Sequence, residues 1–410
     1  MKKLLLTLFA AFLLISCSDD NDPAPPKVER APITILAYLV ADNNLNSYLY
    51  DNIGTMYEGL INLDKAATLL IYWDGSSRIQ GVDTPVILRY EFDGKDKVNG
   101  KLYTDQQSAI DAAEIVKEYP DQFSTDKNVM SKVLKDMVSL STTAKIGLIA
   151  GSHGSAWTNS IYFSRSFGQD GHSTDNTILT SDMAEAMKST GRVFDFLLFD
   201  ACVMGTAEVC YDFKDVANYQ LVSVMEIPSY GCPYDMMLDN LYAGNVAGYT
   251  QSCTDYIDYY KSLYETSSSA AWGTMALVNS SKMKDLADLV KGQLQAHKEV
   301  VSTFDPLPLQ EYGRNAAEYI AFDLTQFIQT LNEGKLPSDF NSCMNDLVIY
   351  ADCLSEARYS YYDYDVDPEN FCGLGIYIPC SKTKDWYKNF KDIAWYSAAG
   401  WNEITYSWSN

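Results

Sequence analysis

The sequence predicts an α/β fold, a helix–sheet–helix sandwich with a mainly parallel sheet, and three observations carry that prediction. Short apolar runs at 33–40, 67–73, 86–92, 145–150, 194–199 and 220–225 are bounded by Gly and polar residues, as buried strands are. Segments with helical spacing separate many of them, and strand–helix alternation builds parallel sheets covered on both faces. The stretch 145–208 reads as strand, helix, strand, a right-handed crossover that makes its two strands parallel. The first of these strands runs into His153-Gly154 and the second into Asp200-Ala201-Cys202. Both would lie at carboxyl ends on one edge of the sheet, where open α/β sheets place ligands.

Residues 1–17 read as a targeting segment. Lys2 and Lys3 precede an apolar core at 4–15 that is too short to span a bilayer. Leu14-Ile15-Ser16-Cys17 resembles a bacterial lipobox, which implies a lipid on Cys17 and anchorage at a bacterial membrane, the outer membrane being expected. Residues 18–31 are acidic and Pro-rich and read as an extended tether. A first domain is expected over 32–279. It opens with the strand at 33–40, and Asp42 to Leu45 then turns into a helix that runs to about Leu60. Further helical spacing occurs at 105–118, 127–140 and 180–192, the last with a Ser/Asp start and a Gly stop. A helix over 206–217 would begin just after Cys202, where its N-terminus would help hold a thiolate. A more helical C-terminal subdomain is expected over 280–410, with helices at 282–298, 323–331 and 340–355 and an aromatic closing block at 386–401.

The two strand ends carry the chemistry. A thiolate is a nucleophile, and a neighbouring imidazole can take the thiol proton and later protonate a leaving amine. A Gly after the His leaves its N–H open to a substrate carbonyl. Cys202 and His153 are therefore the candidate reacting pair, with Gly154 beside them. His297 sits in a polar helical stretch and reads as surface, and His172 lies in a polar loop. The Ser of Gly151-Ser152-His153-Gly154 is not in a Gly-x-Ser-x-Gly elbow, so a serine hydrolase is not expected. The chain has nine Cys but no Cys-x-x-Cys pair, which argues against zinc, and no disulfide can be assigned. A net charge of −23 without any Lys/Arg patch argues against nucleic-acid partners.

These residues resemble the clostripain family of cysteine peptidases, which has a caspase-like fold. The likeness rests on the opening strand with Asp42-Asn43-Asn44-Leu45, on His153 to Trp157, on Phe199 to Met204 with Glu208, and on strands at 274–278 and 373–379. It implies an endopeptidase that cuts after Arg and Lys, with Cys202 as nucleophile and His153 as general acid/base. The N–H groups of Gly154 and Cys202 would form the oxyanion site. Asp200 would receive the basic P1 side chain, and Tyr230 stands where some members carry a second acid. Self-activation is expected by cleavage after Arg165, between the two blocks. Peptides or proteins with a basic P1 residue are the expected substrates, and the membrane is met through the lipid. No cofactor is required. Calcium is the one candidate, at the Tyr- and Asp-rich stretch 359–367, but its spacing matches no EF-hand loop and a solvated acidic loop is expected. Two other readings remain open: an inactive surface-binding lipoprotein on the same fold, and a Cys-dependent transpeptidase.

Overall fold

The computed structural model describes residues 28–75, 79, 81–103, 105–111, 113–157, 167–171, 176–266, 271–313, 320–356 and 366–408. Cys17, Arg165, His172 and the 359–365 part of the acidic stretch lie outside them. Nine of the described strands form one sheet. In chain order these are β1 (Ile33–Val40), β2 (Ala66–Asp74), β3 (Val86–Asp93), β4 (Glu114–Glu118), β5 (Lys145–Gly151), β6 (Phe194–Asp200), β7 (Ala217–Val222), β8 (Thr274–Asn279) and β10 (Val348–Cys353). A short pair, β9 (Phe322–Asp323) and β11 (Gly375–Ile376), lies apart. Across the sheet the order is β10-β8-β7-β6-β5-β1-β2-β3-β4. The central strands β2, β1, β5, β6 and β7 are mutually parallel, and antiparallel strands extend both flanks.

Alternation along the strands divides the core into two layers. Leu36, Tyr38 and Val40 face one side with Leu148, Leu197 and Phe199, while Ile35, Ala37 and Leu39 face the other with Ile149, Phe196 and Leu198. The second side is covered by α1 (Asn46–Ile61), α2 (Gln106–Asp111), α6 (Tyr234–Tyr242) and α7 (Val246–Thr266). The first side is covered by α3 (Lys127–Leu140), α4 (Thr180–Lys188), α5 (Ala207–Asp212), α8 (Met283–Ala296), the short α9 (Lys298–Val301), α10 (Leu324–Leu331) and α11 (Ser338–Leu347). The helical region after residue 280 therefore shares this core, and its strand β10 joins the sheet edge beside β8. Trp395 and Trp401 of the closing aromatic block are buried in that same layer, with Trp395 edge-on to Tyr211 of α5 at 5.6 Å.

Four expected elements differ. Residues 105–118 divide into α2 and the edge strand β4, where the β-branched Ile115 and Val116 favour extended backbone and Ile115 pairs with Leu88 of β3. Residues 340–355 divide likewise, because the helix ends at Leu347 and 348–353 become β10. The helix expected over 206–217 is the shorter α5, and Ala217 already begins β7. Only Gly375–Ile376 of the strand expected over 373–379 is paired. In each case the strand is specified by a partner distant in sequence, which local spacing does not report.

Candidate active site

The site lies where β1, β5 and β6 end side by side. The parallel register pairs Leu39 with Gly151 and Gly151 with Asp200, so His153 and Cys202 each follow two residues beyond a paired position. Ser152 ties the three ends together, with its N–H donating to the Asp200 carbonyl at 3.3 Å and its hydroxyl to the Val40 carbonyl at 2.8 Å. The His153 carbonyl accepts from the Gly168 N–H at 2.9 Å, which anchors the loop to a short antiparallel ladder between Phe167 and Ile178. Trp157, at the end of the same loop, is buried against Tyr377 and Phe390, with ring centroids 5.1 and 5.2 Å away.

Gly154 is demanded by space. A Cβ there would fall 2.4 Å from the carbonyl oxygen of Cys202 and 2.9 Å from its nitrogen. The backbones of the two candidate residues are thus in direct contact across the site. No described residue accepts from the Gly154 N–H.

Cys202 occupies a tight turn. Val203 behind it has φ of 59°, a left-handed conformation that costs a β-branched residue on the order of 1–3 kcal/mol. The Val203 N–H donates to Met225 at 2.9 Å and the Gly205 N–H to Ser223 at 2.7 Å, so the segment after β7 holds the turn. The Cys202 Sγ lies 3.8 Å from the Ile227 carbonyl. The helix expected from Thr206 starts there, with Thr206 as its cap and Ala207 as its first residue. Val203 to Gly205 separate its N-terminus from Cys202, so the turn, and not a helix end, presents the thiol.

His153 is half-buried, and burial lowers its imidazole below the ordinary range, which favours the neutral ring. Its Nε2 is 2.6 Å from the side-chain oxygen of Asn44. Asn44 belongs to the Asp42 to Leu45 turn, a signal visible in the sequence, yet no role was legible for it there. His297, expected on the surface, is half-buried, with Nε2 3.3 Å from Asn332 Oδ1.

Asp200 is buried at the end of β6, against α1 and α6. Its Oδ2 accepts from Tyr234 OH at 2.8 Å, from Cys232 N–H at 3.2 Å and from Asn52 Nδ2 at 3.3 Å. Burial pushes its carboxyl up, and the Tyr234 and Cys232 hydrogen bonds pull it back. The left-handed Gly231 lies against it, where a Cβ would meet Oδ2 at 2.8 Å. Tyr230, one residue earlier, is 45% exposed and edge-on to Tyr48 of α1 at 6.2 Å. Asp200 is thus buried against Gly231, while Tyr230 beside that glycine in sequence is exposed.

Glu208 is the second residue that sequence reading left without a role. It is buried on α5, its Oε1 accepts from the Tyr377 N–H at 2.9 Å, and Oε2 has no partner among the described residues. It joins α5 to the C-terminal segment whose Tyr377 packs against Trp157. Burial raises its carboxyl from the ordinary 4.5 to about 8. Between those values the folded chain keeps a proton that the unfolded chain has released, so this group's stabilisation is full below about 4.5 and lost as pH rises to about 8. Glu208→Gln is expected to remove a pH-dependent component on the order of 4 kcal/mol. Urea unfolding at acidic and mildly alkaline pH checks this: the variant should gain on wild type as pH rises, and parallel pH profiles would contradict the assignment.

Two further carboxyls cluster at this edge. Ser124 donates its hydroxyl to Asp74 and its N–H to Asp170, and burial pushes Asp74 up to about 7 and Asp170 to about 6. None of the described cysteines is in a disulfide, and no group of three or more His, Cys, Asp or Glu among the described residues could hold a metal ion. No described helix is long and apolar enough to cross a membrane.

Comparison with known proteins places this geometry. The clostripain family model matches residues 37–408. Clostripain of Hathewaya histolytica is 26% identical over 241 residues, which cover 53% of this chain and 44% of that protein, so the match spans less than half of its length. A secreted cysteine protease of Bacteroides thetaiotaomicron, solved with an irreversible peptide inhibitor, is 25% identical with a TM-score of 0.70, covering 90% of this chain and 99% of that one. An inactive zymogen protease of Parabacteroides distasonis shares the fold at 23% identity and a TM-score of 0.72, covering 92% and 99% of the two chains. With the family model matched over most of its length and its His and Cys blocks at adjoining strand ends, the chain belongs to the clostripain family.

Proposed function

We propose that this protein is a cysteine endopeptidase that cleaves after Arg and Lys through an acyl-enzyme on Cys202. The observation that supports the reading is the close backbone approach of Gly154 to Cys202, which brings the loop that carries His153 against the turn that carries the thiol. His153 takes the thiol proton as Sγ attacks the substrate carbonyl. The N–H groups of Gly154 and Cys202 hold the oxyanion. The amide C–N bond then breaks, His153 passes its proton to the leaving amine, and water hydrolyses the thioester with His153 as base.

A basic P1 residue is supported by Asp200. Its carboxyl, two residues before Cys202, is held by Tyr234, by Asn52 and by both the N–H and the thiol of Cys232. Desolvating a P1 cation costs free energy unless a charge meets it. The exposed Tyr230 ring favours guanidinium, which stacks, over ammonium. Arg is therefore expected above Lys, and both above neutral residues. Asp200→Asn is expected to weaken turnover of Arg and Lys substrates by about 2–5 kcal/mol while changing neutral substrates little. A fluorogenic library varied at P1 tests the reading, and a wild-type preference for acidic or apolar P1 would refute the assignment of the pocket. Cleavage after Arg165 and lipid on Cys17 complete the proposal, supported by the family resemblance and the lipobox-like residues 14–17. Mass mapping of the mature protein checks both; an intact, unlipidated active chain would remove them.

A further inference from the structure

We propose that Asn44 is the positioning residue of this site, and that its side-chain carbonyl accepts the Nε2–H of His153 and so commits Nδ1 to the Cys202 thiol. The inference rests on His153 and Cys202 being the reacting pair. A neutral imidazole carries one proton, and the partner of one nitrogen decides what the other can do. With Nε2–H held by an amide oxygen 2.6 Å away, Nδ1 is left as the acceptor, which is the form a general base needs.

The turn that carries Asn44 is built to hold it still. Asn43, the neighbouring residue, is buried and works as a clamp. Its Nδ2 reaches the carbonyls of Gln169 at 2.7 Å and Val40 at 2.9 Å and the Ser152 hydroxyl at 3.4 Å, while its Oδ1 accepts from the Leu45 N–H at 2.8 Å. Asn46 Nδ2 donates to the Ala41 carbonyl at 3.0 Å. Ser152 directly precedes His153, and Gln169 directly follows the Gly168 that donates to the His153 carbonyl. One side chain therefore fixes the β1 turn to both segments that frame His153. Asn44, exposed in the middle of that turn, is delivered to the imidazole by its neighbours and not by packing of its own.

A neutral acceptor also suits the surroundings. The carboxylates near this edge are Asp42 on the same turn, Asp170 beyond Gly168, Asp74 at the end of β2 and Asp200 at the end of β6. Burial is the cause of the lowered imidazole. An amide oxygen orients the ring without adding the charge that would hold it protonated.

The test uses the full chain with Asn44→Ala, Asn44→Asp and Cys202→Ala, and two readouts. The first is the pH profile of Cys202 alkylation by iodoacetamide, which does not depend on P1 preference. The second is the nitrogen-15 spectrum of the His153 ring, one of three His in the chain. Wild type should show Nε2 protonated and Nδ1 bare, and Asn44→Ala should show mixed tautomers. Hydrolysis by Asn44→Ala should fall roughly 10- to 100-fold in kcat with little change in KM, the scale at which loss of a partner that orients a functional His acts. Asp can only accept, so Asn44→Asp should restore much of the rate and move the acid limb of both profiles to higher pH. An Asn44→Ala protein with wild-type kcat, alkylation profile and ring spectrum would overturn the proposal, as would an Asn44→Asp protein no better than Asn44→Ala. The underlying reading fails separately, through a Cys202→Ala protein that still hydrolyses peptide.

Discussion

Cys202→Ala is expected to reduce peptide hydrolysis to background, a loss of about 10⁴-fold or more, the scale of removing a nucleophile. No neighbouring thiol is placed to replace it. Cys232, the other cysteine at this edge, is buried against Asp200 and Tyr234, and burial pushes its thiol well up, so it carries no thiolate at neutral pH. His153→Ala should be nearly as damaging, and the double variant no worse than Cys202→Ala alone, because residues that act as a unit are not additive. Initial rates on an Arg-P1 fluorogenic peptide with correctly folded proteins decide this. A Cys202→Ala rate equal to wild type would refute the mechanism.

Gly154→Ala is expected to abolish most activity by a different route. The added methyl would sit 2.4 Å from the Cys202 carbonyl oxygen, and the obstacle is backbone that no rotamer change can move. The two loops must part, which separates the Gly154 N–H from the oxyanion position and His153 from the thiol. Overpacking of this kind costs about 1–3 kcal/mol of stability, and loss of an oxyanion donor costs about 10²–10³ in kcat. Thermal unfolding with kcat measured on the same samples separates the two effects. A variant that unfolds only slightly earlier yet is at least a hundredfold slower agrees with the account, whereas full activity would show that the loops are not coupled.

The parallel centre of the fold was legible because β1, β5 and β6 are buried on both faces and write nearly unbroken apolar runs. The edges were not. β4 and β10 carry mixed polar and apolar residues with a helix directly before them, and only their pairing with β3 and β8 makes them strands. His153 and Cys202 were legible as strand-end residues. Their supports were less so, since each joins segments far apart in the chain. Glu208 meets Tyr377 across 169 positions, and Asn44 meets His153 across 109. Asp200 was read as a pocket acid, but its bonds to Asn52, Cys232 and Tyr234 appear only when α1 and α6 close over it. The left-handed turn at Val203, between the thiol and the helix that follows, was not legible either, since local spacing does not report it.

The central claim is that Cys202, with His153, attacks carbonyls that follow a basic side chain. Intact-mass analysis after treatment with peptidyl electrophiles differing only at P1 tests it most directly. The account predicts one adduct per chain, mapped to Cys202, forming fastest with Arg, next with Lys and far more slowly with a neutral residue. It predicts none in Cys202→Ala and slow labelling in His153→Ala. An adduct that persists in Cys202→Ala, or one that forms equally fast with an apolar P1, would contradict it.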